Sequence, residues 1–201
     1  MTPSSSVTRS ARGREVVVAG RQLLEEEGAE ALTMRRLADR VGIRAPSLYK
    51  HLPDKAALEA AIIATGLEEA AAEFESAVQD ASQERTEGAA GGVGGDVVDG
   101  DGKGAAGALP ALAAAYRRFA LAHPHLYRLM NNGPLPREHL PPGLEERTAA
   151  PVLRAAGSQA RARALWAFAH GMVMLELDHR FPADADLDAA WQAGIAAFQP
   201  D

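Results

Sequence analysis

Residues 33–58 read TMRRLADRVGIRAPSLYKHLPDKAAL, and this stretch decides the fold. Met34, Leu37, Ala38 and Val41 recur at i, i+3, i+4 and i+7, which is one apolar stripe on a helix. Thr33 stands just ahead of the stripe, where a hydroxyl caps the first free N–H groups. Gly42 stands just behind it, where a helix ends on a left-handed residue. After Gly42-Ile43-Arg44, Pro46 suits the first position of a second helix over residues 46–51, because that position needs no N–H and favours its fixed φ. Leu48 faces inward on that helix, while Ser47, Tyr49, Lys50 and His51 face out. A helix, a glycine turn and a short helix with a polar, basic outer surface make a helix-turn-helix, and its second helix fits the major groove of DNA.

The charge around this stretch points the same way. The net charge of the chain is −6, which argues against indiscriminate nucleic-acid binding. Residues 1–52 nevertheless hold nine Lys and Arg against six Asp and Glu, a balance of +3, so the remainder carries −9. A basic end on an acidic chain orients the molecule toward DNA. Cysteine is absent, which removes disulfides, zinc fingers and thiol chemistry. No apolar run approaches the ~18 residues that span a bilayer. The N-terminal MTPSSSVTRSARGR has no apolar core of a signal peptide and reads as a polar arm. These features together imply a cytoplasmic protein with no membrane partner.

Outward from the motif the pattern is all-α. A first helix spans residues 12–27, with Val16, Ala19, Gly20 and Leu23 inside and Gly28 at its end. Asp54 caps a long helix running to about Gln83. Residues 88–107 contain nine glycines and keep no periodic apolar face, so a disordered loop is expected there. Helical patterning resumes at Leu109, continues past Pro124, and breaks at Gly133-Pro134-Leu135-Pro136 and at Leu140-Pro141-Pro142-Gly143. A helix is expected over 143–156, with Pro151 marking a kink or a start; a strongly apolar one over 158–180 and a last one over 186–198 follow. The expected organisation is an arm and three-helix DNA-binding domain at 1–53, joined by the long helix to a helical ligand-binding and dimerisation domain at 54–201.

Three constellations suggest metal chemistry and fail on spacing. Asp96, Asp99 and Asp101 resemble a calcium loop, but position 12 falls on Gly107 or Pro110, so no closing glutamate exists. His123 and His125 flank Pro124 without a third ligand and read as helix-end, surface residues. Glu176-x-x-His179 is half of a carboxylate-bridged di-metal site whose second half is missing. No metal or cofactor is therefore expected. Trp166, Phe168, His170, Met172, Met174 and Leu175 lie around more than one face of one helix. Such a helix is either a central core element or the wall of an apolar pocket with one polar histidine.

Thr33, Leu37-Ala38, Val41-Gly42, Leu48-Tyr49, His51 and Pro53-Asp54-Lys55 at these spacings resemble the TetR-type transcriptional regulators. The likeness covers residues 15–67 and departs at Leu52, where the family usually carries Phe. Trp166-x-x-x-His170-Gly171 resembles a ligand-domain subgroup of that family. The resemblance implies a ligand-responsive repressor without enzymatic activity, released from an inverted-repeat operator by a small apolar molecule. The other readings are a helical small-molecule enzyme and a helical protein-interaction adaptor. The enzyme reading lacks a nucleophile with its base, a complete metal set and a phosphate loop.

The residues expected at DNA are Thr33, Arg44, Ala45, Ser47, Tyr49, Lys50, His51 and Lys55. Arg44, Ser47 and Lys50 suit base edges or nearby phosphates. Tyr49 and His51 suit the backbone, with ring packing in the core as the alternative for Tyr49, and Lys55 suits a phosphate. The effector residues expected are Tyr116, Phe119, Tyr127, Met130, Trp166, His170 and Met174. One short recognition helix reads few base pairs, so a homodimer is expected on a two-fold operator. Leu187, Trp191, Ile195 and Phe198 form an apolar stripe on the last helix that either its own chain or a twin covers; the resemblance favours the twin, with Trp191 as anchor.

Overall fold

Gly13, Val16, Val17, Gly20, Leu23 and Leu24 return to one side of a helical spiral, and they are the buried residues of α1 (Ala11–Glu27). The computed structural model describes residues 11–90 and 108–199, and every element among them is helical. After α1 come α2 (Met34–Arg40), α3 (Ala45–Leu48) and the long α4 (Lys55–Ala90). Then follow α5 (Ala108–Ala122), α6 (Pro124–Asn131), a 3-10 turn (Arg137–His139), α7 (Leu144–Ala156), α8 (Gln159–Leu177) and α9 (Leu187–Ala196).

The chain forms two compact units. One holds the residues up to Glu69 together with His123–Glu145, and the other holds Ala70–Ala122 and the residues from Glu146 on. The expected boundary at 53/54 is therefore not the one the packing draws. Its physical cause lies in two glycines. A Cβ on Gly20 of α1 would come within 2.9 Å of Leu58 Cδ1 and 3.3 Å of Ile62 Cδ1, so α4 crosses α1 where the side chain is missing. A Cβ on Gly66 would meet Met130 Sδ at 2.7 Å, so α6 lies in close contact with the same stretch of α4. Leu24, Leu32, Leu37, Leu48, Leu52, Leu58, Ile62 and Leu126 are fully enclosed in this first unit. Each such side chain contributes ~1.5–3 kcal/mol by leaving water. Leu52 is fully buried, so the departure at that position keeps an apolar side chain in the core.

Some boundaries shift from expectation. α4 continues to Ala90, past Gln83, because alanine and glutamate sustain a helix. The glycine-rich run expected to be disordered lies, from residue 91 onward, outside the described residues, as do Asp96, Asp99 and Asp101. Pro151 sits inside α7. In the second unit α8 packs on α5 and α9, burying Leu165, Ala169 and Val173. Ser158 caps α8 through the Arg161 N–H, and Asp186 caps α9 through the Ala189 N–H at 2.9 Å.

Candidate nucleic-acid interface

Local chemistry builds the helix-turn-helix as the sequence suggests. The Thr33 hydroxyl accepts the Arg36 N–H at 3.3 Å and starts α2. Gly42 takes φ +66° after Val41 and ends it. The Ile43 N–H returns to Ala38 O at 3.0 Å, which fixes the turn. Arg12 Nη2 donates to Val41 O at 3.2 Å, tying α1 to the end of α2. α3 is shorter than expected. Its regular part is Ala45–Leu48, with Pro46 second rather than first, and residues 49–51 continue as turns bonded back to Ala45 and Leu48. Leu48 alone of these residues is fully buried, and it anchors the short helix. Asp54 Oδ1 accepts the Ala57 N–H at 2.8 Å and starts α4.

The cations divide into two sets. Arg40 forks onto Glu26 with both bonds at 2.7 Å, and this hydrogen bonding holds the Glu26 carboxyl below its usual pKa. Arg36 pairs with Glu27, Arg12 with Glu15, and Arg21 with Glu69. Arg35, Arg44 and Lys50 are exposed and have no acidic partner among the described residues. Ser47 is exposed between Arg44 and Lys50, and Tyr49 is 51% exposed, so its ring does not pack in the core. Thr33 is exposed, and Ala45 and His51 are half-buried. Lys55 is exposed at the start of α4 and lies 3.3 Å from Glu59 one turn on. Arg35 was not singled out from sequence. Its signal is helical spacing: Arg36 and Arg40 share the face that meets Glu27 and Glu26, and Arg35 falls about a quarter-turn off it.

The expected effector residues separate between the two units. Tyr127 and Met130 belong to the first, where Tyr127 is buried. Tyr116, Phe119, Trp166, His170 and Met174 belong to the second. There Phe119 is buried, Tyr116 stacks on Phe74 at 6.0 Å, and Trp166 tilts over His170 at 6.0 Å. Burial lowers the His170 pKa, which favours the neutral ring. α8 is not enclosed on all sides: Trp166 is 54% exposed.

The stripe expected to face a twin turns inward. Trp191 and Ile195 are buried within their own chain. Trp191 meets Phe168 edge-on at 5.6 Å, and Phe168 also touches Phe198 at 5.8 Å. Leu187 and Phe198 are half-buried at its two ends. The covering residue the sequence did not reveal is Phe168, whose ring occupies the gap left by Gly194. His123 starts α6 with its Nδ1 3.9 Å from Glu25, and Glu176 is engaged by Arg117 and Trp191. No group of three or more metal-ligating side chains occurs among the described residues. No helix among them is long and apolar enough to cross a membrane.

Two family profiles cover most of the remaining question. Residues 16–62 match the bacterial regulatory proteins of the tetR family, and residues 109–198 match the tetracyclin repressor-like C-terminal domain. The chain belongs to the TetR family. A tetracycline repressor protein of class G from Vibrio anguillarum is 46% identical over 43 residues, 21% of this chain and 20% of that protein. The chain thus matches about a fifth of the length of this curated TetR relative. A protein of unknown function from Rhodococcus sp. RHA1 has the same fold, with a TM-score of 0.66 at 24% identity over 92% of both chains. A TetR variant from Acinetobacter baumannii AYE, solved in complex with minocycline, gives a TM-score of 0.58 at 22% identity over 91% of both chains.

Proposed function

We propose that this TetR-family protein is a cytoplasmic repressor that grips an inverted-repeat operator as a homodimer and releases it when a small, largely apolar molecule binds. One observation carries the DNA reading. Arg12, Arg36 and Arg40 near the helix-turn-helix are held by acids, while Arg35, Arg44 and Lys50 are exposed and have no acidic partner among the described residues. Cations without acidic neighbours are those free to displace counterions from phosphates. In this reading Arg44, Ser47 and Lys50 approach base edges, with Ala45 beside them. Thr33, Arg35, Tyr49, His51 and Lys55 meet the backbone. Releasing Lys55 from Glu59 costs little, because exposed pairs contribute ~0–1 kcal/mol.

In this reading the effector binds in the second unit, near Tyr116, Phe119, Trp166, His170 and Met174; Tyr127 and Met130, expected with them, belong to the first unit. Support comes from His170, whose pKa burial lowers, beside the Trp166 ring, and from the minocycline complex of the Acinetobacter protein. In this reading the Trp166-x-x-x-His170-Gly171 run marks a ligand-domain subgroup of the family. α4 contributes residues to both units, so a ligand that prefers one arrangement of α4 changes DNA affinity by that preference, ~1–3 kcal/mol in common cases.

The test is selection of a preferred duplex from a random pool, followed by titration of variants. Arg44→Ala and Lys50→Ala should each cost ~1–3 kcal/mol and relax specificity at one position per half-site. Lys55→Ala should weaken preferred and scrambled duplexes alike. Selection that yields no two-fold sequence, or full affinity in both Arg44→Ala and Lys50→Ala, overturns the reading.

A further inference from the structure

A cleft of about 390 Å³ opens in the first unit beside the first turns of α4. Its apolar lining includes Ala60, Ile63, Leu129 and Pro134, and its polar lining is Glu30, Lys55, Glu59 and Asn132. The volume lies within the range of small-molecule sites. It uses none of the residues assigned to the effector above.

The charges select the ligand. Lys55 and Glu59 face each other at 3.3 Å and offset one another. Glu30 lines the same cleft and has no cationic partner among the described residues, so the lining carries one uncompensated negative charge. Glu30, Glu59 and the Asn132 amide offer oxygen acceptors, and the one cation of the lining, Lys55, offsets only one of the two carboxylates. An anion entering here would meet two carboxylates. A primary ammonium brings three N–H donors to a site rich in acceptors, and no acceptor that needs a proton. The apolar residues would take a short alkyl or aryl chain, where each buried CH₂ contributes ~0.8 kcal/mol.

We propose that this cleft binds an amphipathic primary ammonium ion, its charged end among Glu30, Glu59 and Asn132 and its apolar end on Ile63 and Leu129. The site is a second ligand site, separate from the aromatic one in the other unit.

The experiment is calorimetry on the full chain without DNA, so its failure is distinct from failure of the operator reading. The probes are 4-phenylbutylammonium, 4-phenylbutan-1-ol and 4-phenylbutyrate, which share an apolar body and differ in charge. The ammonium should bind saturably and at least about tenfold more tightly than the alcohol, with the carboxylate weakest. Glu30→Gln with Glu59→Gln should remove most of that preference. Ala56→Trp, at an exposed position on the cleft wall, should abolish binding while the melting temperature stays near wild type. Equal affinity for all three probes, no saturable binding in the millimolar range, or intact binding in Ala56→Trp would overturn the assignment. If Ala56→Trp unfolds the chain, the glutamine pair decides, since it leaves the cleft's shape unchanged.

Discussion

The indole Nε1 of Trp191 donates to Glu176 Oε1 at 2.5 Å and ties α9 to α8 within one chain. Glu176 also accepts from Arg117 Nε at 3.0 Å, and its side chain is only 6% exposed. Arg117 reaches on to Asp188 at 2.5 Å and lies 5.8 Å from the centre of the indole ring. A carboxylate this enclosed is tolerable because three neighbours engage it or its partner, and a half-satisfied network is worse than none. Trp191→Phe keeps most of the buried ring and removes the donor, so it should cost ~1–3 kcal/mol. Trp191→Ala should cost ~3–5 kcal/mol by emptying the site. Urea denaturation of both variants measures this, and a neutral Trp191→Phe would show that the bond contributes nothing.

Gly194 provides a second check on the same cluster. A Cβ there would fall 2.0 Å from Phe168 Cζ and 2.4 Å from its Cε2. Phe168 is a rigid ring wedged between Trp191 and Phe198, so it has to leave its place. Alanine in a helix gains ~0.8–1.0 kcal/mol over glycine, and forcing an extra carbon into a packed site costs ~1–3 kcal/mol. The second effect wins, and Gly194→Ala should lower stability despite its better propensity. A stability equal to or above wild type in the same urea series would show that the cluster repacks freely.

Those two residues mark where the sequence ceased to be legible. The helix-turn-helix was readable because its signals are local: the Thr33 cap, the Gly42 turn and the single inward Leu48 each act within a few residues. The charge partition was not readable, because Arg36 and Arg40 find Glu27 and Glu26 across a turn, nine and fourteen residues back. The extent of the first unit was hidden in two glycines whose missing side chains admit another helix. On α9 the apolar stripe was visible, but periodicity says only that a face is covered. It does not say by whom, and Phe168 on α8 provides the cover. The expected effector residues were chosen as an apolar set, and composition alone did not reveal that Tyr127 and Met130 fall in the first unit and the others in the second.

His170 should titrate below an ordinary histidine. Burial penalises its charged form, so its folded pKa lies below the unfolded value of ~6.5. The unfolded chain then binds the proton first as pH falls. The contribution to stability is therefore complete above ~6.5 and is lost as pH drops from there through the lower folded value. Proton NMR of the ring should give a midpoint below ~6.5. His170→Gln should flatten the acid side of the melting-temperature profile over that interval. A midpoint at or above the ordinary histidine range would remove both the neutral ring and its assigned role toward an apolar ligand.

We propose that the twin-facing surface lies on the outer side of α8, because the Trp191 stripe is covered within its own chain. Ala164, Ala167, Gly171 and Met174 recur at i, i+3, i+7 and i+10, opposite the buried Leu165, Ala169 and Val173, with Leu175 beside them. This second apolar line is open: Ala164, Ala167 and Leu175 are exposed, and a Cβ on Gly171 would meet nothing within 4 Å. Small residues in that spacing let a second helix approach closely, and the exposed alanines of α9, Ala190, Ala193 and Ala197, lie on the adjacent helix. Gly171→Glu separates the possibilities. Within a single chain the new side chain has room and improves helix propensity, so the subunit fold should hold. Across a two-fold interface it places two like charges in an apolar seam, so the dimer should dissociate. Loss of the dimer halves the operator contacts, and affinity for a two-fold duplex should fall far more than for a half-site. Sedimentation at micromolar concentration should show a wild-type dimer and a Gly171→Glu monomer with an unchanged circular dichroism spectrum. A variant that remains a dimer with full operator affinity would move the interface off this face of α8.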